Sequence, residues 1–133
     1  MAGTITQALT CNVGPIKVVT FTCTADSSDG SFPDTAITAA NIRGKLLQMA
    51  TNPNGDTAPQ DNYDITIVDA DGIDVLQGVG ANRDTANSEV AAIVYATSLH
   101  PYIAETDSLT VKIAGNNVNS AITVIKLYWS DSV

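Results

Sequence analysis

The 133-residue chain sets fourteen Asp and Glu against six Lys and Arg, a formal net charge of −8 with a sequence pI near 4.1. That balance argues against a nucleic-acid partner, because phosphate-backbone affinity comes from Lys and Arg displacing counterions. An apolar content of 44% with 15% charged residues excludes a disordered tail, and no apolar run approaches the ~18 residues of a membrane span.

Met1-Ala-Gly-Thr4 lacks the charged and apolar regions of a signal peptide, so the expectation is a soluble protein made inside a cell. The length suits one domain over residues 1–133, with roughly two-thirds of the unfolded chain's surface buried on folding. Thr (16), Val (12) and Ile (12) dominate over Leu (7), Lys (4) and Glu (2), a menu that favours the pleated sheet over the helix. The acids are mostly Asp, joined by ten Asn and nine Gly, all residues that favour turns. The fold class expected is all-β: an antiparallel β-sandwich, jelly-roll-like or immunoglobulin-like, of about 7–9 strands.

In chain order, residues 1–12 read as an N-terminal arm or edge strand, with weak alternation over 4–10. Gly14-Pro15 punctuates the chain. From Ile16 to Ala25, Val19, Phe21 and Cys23 share one face and Thr20, Thr22 and Thr24 the other, which predicts a strand with a solvated threonine face. Asp26 to Gly30 is a turn. Residues 34–50 fit either a helix, through Ile42, Leu46 and Met49, or a strand over about 42–50; Gly44 and the β-branched neighbours favour the strand. A breaker-rich loop follows over 52–59.

Tyr63, Ile65 and Ile67 then alternate with Asp64 and Thr66. Asp69, Asp71, Gly72 and Asp74 supply a tight turn, and 73–77 a return strand, so a hairpin is expected. Residues 78–88 form a loop, and 89–97 allow either a helical turn or a strand. His100-Pro101 marks a break; Leu109, Val111 and Ile113 form one face of a strand, and Gly115 to Asn119 a turn. The last strand, 121–129, is apolar on both faces. Ile125, Leu127 and Trp129 can face the core, leaving Ile122, Val124 and Tyr128 for a covering loop or a partner chain.

Catalytic patterns are thin. His100 is the sole histidine, and no Gly-x-Ser-x-Gly surrounds a serine. Cys11 and Cys23 lie twelve apart and cannot build a zinc site; a disulfide between neighbouring strands is open to them, and free thiols are preferred. Asp69-Ala-Asp71-Gly72-Ile-Asp74 resembles the start of a calcium loop but reaches Gly80 where the bidentate Glu belongs, so a turn held by Asp side chains is preferred. Glu89 and Glu105 are the only glutamates available to a glycosidase pair. Trp129 and Tyr102 offer a carbohydrate platform, against which stands a buried or interface aromatic. No catalytic residue, cofactor or metal ligand is assigned.

The stretch Tyr63 to Gly78, with its lead-in Gly44-Lys-Leu-Leu47, Thr51-Asn-Pro53 and Ala58-Pro59, is followed by Asn82-Arg83 and the late Leu109-Thr-Val-Lys-Ile113. Over roughly residues 35–128 this order resembles small tailed-bacteriophage virion structural proteins. The resemblance implies a non-enzymatic β-sandwich subunit of a phage particle. With a −8 charge repelled by packaged DNA, the outer capsid surface is the expected location, reached by assembly in the host cytoplasm. Its partner is then the major capsid protein, which it decorates as a homo-oligomer, a trimer by resemblance. Ile122, Val124, Tyr128 and Trp129 on the last strand, together with the N-terminal Thr-rich segment, are the candidate oligomer or capsid contacts. A neck, tail or fibre-associated position and a carbohydrate- or receptor-binding module are the alternatives.

Overall fold

A computed structural model describes residues 2–94, 99–104 and 108–131. The fold is an all-antiparallel β-sandwich with no helix among the described residues. Its strands are β1 (Thr4–Cys11), β2 (Ile16–Thr24), β3 (Thr35–Ala36), β4 (Gly44–Pro53), β5 (Asp64–Val68), β6 (Glu89–Ala92), β7 (Tyr102–Ile103), β8 (Thr110–Ala114) and β9 (Ile122–Ser130). One sheet runs β1-β2-β9-β4-β6, with β7 also paired to β4, and the smaller one runs β3-β8-β5.

Register explains the core. Across the large sheet Gln7, Phe21, Ile125 and Thr51 align in one row, and Leu9, Val19, Leu127 and Met49 in the next. Because side chains alternate, every second row faces inward. Phe21, Val19, Leu127 and Leu46 are fully buried there, against Ile65, Ile67 and Val111 from the small sheet. The Tyr63 hydroxyl and Thr123 Oγ1 share a buried 2.9 Å hydrogen bond across the two layers. At the open edge, the Gln7 amide bonds the backbone of Ala36, Thr38 and Ala39, tying β1 to the chain that leaves β3.

The expected hairpin over 62–77 is corrected. Its turn forms: Asp69 Oδ1 accepts the N–H groups of Asp71 and Ile73, and Gly72 takes φ +82°. The return limb, however, is not a strand. Only Val68 and Asp74 bridge, and β5 finds its ladder partner in β8. Asp74 is the cause. Its Oδ1 accepts the N–H of Ile67 and then that of Leu76, while Oδ2 accepts that of Gly78, so the carboxylate replaces a neighbouring strand and curls the chain. Val75 and Leu76 are both buried while Ile73 is exposed, a sequence that strand alternation forbids.

The ambiguous stretch 34–50 resolves as strand, displaced to Gly44–Pro53 and so running into the predicted loop. Gly44 adopts φ +94°, and a Cβ there would collide with the Ser130 carbonyl. Of 89–97, residues 89–92 form β6, and 95–97 lie outside the described residues. Residues 4–11 form the edge strand rather than a free arm.

Cys11 and Cys23 are free. Cys11 pairs with Val18, five residues along β2 from Cys23, which separates the thiols by about 17 Å at ~3.4 Å per residue. A disulfide needs Cα atoms within ~7 Å. Burial pushes the Cys23 thiol up to about 12. In the native protein at neutral pH, a thiol reagent is therefore expected to label Cys11 and spare Cys23 until the chain is unfolded. Labelling stoichiometry by intact-mass spectrometry reads this directly.

Candidate interaction surface

The alternate rows of the large sheet face away from the core. Strand register lays them out as Ile16, Ser130, Lys45 and Tyr102; then Val18, Tyr128, Gln48 and Ala92; then Thr20, Lys126, Ala50 and Val90. Thr22, Val124 and Asn52 follow, and Thr24 with Ile122 close the face. β1 extends it with Thr4, Thr6, Ala8 and Thr10, the last hydrogen-bonded to Thr20 through their hydroxyls at 2.8 Å.

Three of the four expected contact residues, Ile122, Val124 and Tyr128, are brought together on this face, each half-buried. Trp129 is not. It points inward, 3% exposed, between Lys17 and Leu46 in register. Alternation along β9 makes Tyr128 and Trp129 opposite neighbours, so one strand cannot present both to a partner. Trp129 consequently offers no open ring to a sugar, whereas Tyr102 is 64% exposed with Lys45 Nζ 5.9 Å from its ring centroid.

The charge on this face departs from that of the molecule. Lys45 and Lys126 are its charged strand residues, and no Asp or Glu takes an outward position in the large sheet's described strands. Glu89, at the β6 edge, pairs with Thr51 on the inward register. Its carboxylate accepts the Asp84 N–H and lies 3.5 Å from Arg83. A depression of about 280 Å³ lies over Val124, Lys126, Tyr128, Ala50 and Val90, and Glu89 also lines it. Val18, Lys45, Ala50, Val90 and Lys126 were not visible as members of one surface, because the register that unites them joins strands far apart in sequence. The one local signal was Lys126, a lone charge inside an apolar strand.

The carboxylates are used locally. Asp26 accepts the Ser28 hydroxyl at 2.6 Å and the Ser28 N–H at 2.7 Å, which hold its carboxyl below the usual value. Asp84 is lowered likewise, first by the Ala86 N–H and then by the Asn87 side chain. Lowered folded values mean that these two stabilise the fold above the unfolded carboxyl pKa, near 4, and lose that contribution as pH falls through the folded values. The Asp26→Asn/Asp84→Asn variant should therefore lose stability at pH 6 and converge with the parent near pH 2. Urea midpoints at both pH values test the sign.

His100 Nδ1 sits 2.6 Å from the Ile93 carbonyl, so the ring donates there. Glu105 lies outside the described residues. No group of three His, Cys, Asp or Glu side chains that could hold a metal occurs among the described residues. No protein-family model, curated protein or solved structure matches the chain.

Proposed function

We propose that the protein is a non-enzymatic virion structural protein of a tailed phage, a decoration protein that binds the major capsid protein lattice on the outside of the head. The observation that carries this reading is the outer face of the large sheet. It is rich in Thr and aliphatic side chains and has Lys45 and Lys126 at its outward strand positions, with Glu89 beside its depression, in a chain of net charge −8. Acidic residues gathered elsewhere turn the rest of the molecule away from packaged DNA, while Lys45 and Lys126 favour a neutral-to-acidic protein surface.

Contacts of this kind need only modest energy per copy. Repetition over the lattice, and a symmetric oligomer such as a trimer, multiply them by avidity. Purified protein added to expanded capsids that lack it should bind saturably in hundreds of copies and raise their resistance to heat. A protein that stays monomeric at high concentration and leaves such capsids bare would overturn the reading.

A further inference from the structure

β1 closes one edge of the large sheet, with β2 as its ladder partner. The Ala25 N–H donates to the Ala121 carbonyl, so odd-numbered residues of β2 turn their N–H and C=O groups toward β9 and even-numbered ones toward β1. In the register Thr4↔Thr24, Thr6↔Thr22 and Ala8↔Thr20, the even-numbered residues of β1 therefore bond β2. Ile5, Gln7 and Leu9 point their backbone groups out of the edge. Among the described residues nothing hydrogen-bonds them there. The devices that blunt an edge strand are missing. β1 runs for eight residues, Thr4–Cys11, with no Asp, Glu, Lys, Arg or Pro, whereas β6 at the other edge has four and opens with Glu89. Thr4, Thr6 and Ala8, on the outer face between the open groups, are small and exposed. The Gln7 side chain is bonded to the backbone of Ala36, Thr38 and Ala39 and stays out of the ladder.

We propose that this edge pairs with β1 of a second copy of the chain, antiparallel about a two-fold axis through Gln7. The pattern is self-complementary. Gln7 exchanges both bonds with its twin, and Ile5 exchanges both with the second copy's Leu9, so every open group is matched. Thr6 faces the second copy's Ala8, a pair without bulk or charge. The turn 26–30 lies at the Thr4 end of β1, so antiparallel order sets the two copies' acidic turns about 20 Å apart at ~3.4 Å per residue, beyond the ~8 Å screening length. Two chains of net charge −8 can meet here without setting carboxylate against carboxylate. The axis stands perpendicular to the sheet, so the two outer faces become one continuous face. The unit built this way holds two copies, and any further symmetry needs another surface. The pairing does not rest on the capsid reading, because it is measured on the free protein.

In sedimentation equilibrium the mass of the full chain should rise from 13.8 kDa toward twice that value, with a dimer Kd on the order of 100 µM. In amide exchange by NMR, the N–H groups of Ile5, Gln7 and Leu9 should slow about fivefold between roughly 10 µM and 1 mM protein, while those of Thr6 and Ala8 stay protected throughout. Thr6→Lys/Ala8→Lys sets like charges opposite each other across the dyad and should weaken dimerisation about tenfold. Thr6→Glu/Ala8→Lys sets opposite charges there and should stay within about threefold of the parent. Both variants change exposed side chains alone, and urea midpoints near the parent's show that both fold. Equal dimerisation by the two variants, a monomer at about 1 mM, or exchange at Ile5, Gln7 and Leu9 that ignores concentration would overturn the proposal. Slowing of those amides only when capsids are added would give the edge to a capsid strand and overturn it as well.

Discussion

Phe21→Ala is expected to lower stability by about 3–5 kcal/mol, a large share of the ~5–15 kcal/mol available to a domain of this size. Phe21 is fully buried on the central side of β2, aligned with Ile125 on β9 and Gln7 on β1, so truncation opens a cavity that strands on both sides hold apart. Ile73→Ala is the matching control. Ile73 is 57% exposed beyond the Asp71-Gly72 turn, and its loss should stay within about 0.5 kcal/mol. Chemical denaturation of both variants separates this fold from a regular return strand over 73–77, in which alternation would put Ile73 on the same face as Val75.

Tyr128→Ala is expected to raise the Kd for capsids by roughly 30-fold, equivalent to about 2 kcal/mol, as central interface tyrosines do. Lys126→Glu should weaken binding comparably and mainly through slower association, because it reverses the charge of the proposed contact face. Lys126 is exposed, so its replacement should leave the unfolding midpoint within the noise of the parent. Binding kinetics on immobilised capsids, at two salt concentrations, measure both effects. Equal binding by parent and variants would remove this face from the interface.

Alternation alone was enough to find β2 and β8, where Phe21 and Val111 sit in an uninterrupted period of two, and counting every second residue along β9 placed Leu127 inward although that strand is apolar on both faces. It also separated Ile122, Val124 and Tyr128 from the core. Asp74 shows where local reading stops. Asp74 reads as the last of the turn acids, leading into a return strand over 73–77, yet its carboxylate takes the Ile67 N–H and the ladder ends after one bridge. β5 then pairs with β8, more than forty residues away, and no local pattern encodes that choice. The candidate surface is non-local for the same reason: Lys126, Ala50 and Val90 become neighbours only through the β9-β4-β6 register.

The most direct test of the proposed role is a reconstruction of a phage particle in which each copy of the protein is located and oriented. Hundreds of copies on the outer shell, with Val124, Lys126 and Tyr128 pressed against the major capsid protein, are the predicted result. About a dozen copies at the neck or tail, or a shell-bound protein whose large-sheet outer face points into solvent, would contradict it.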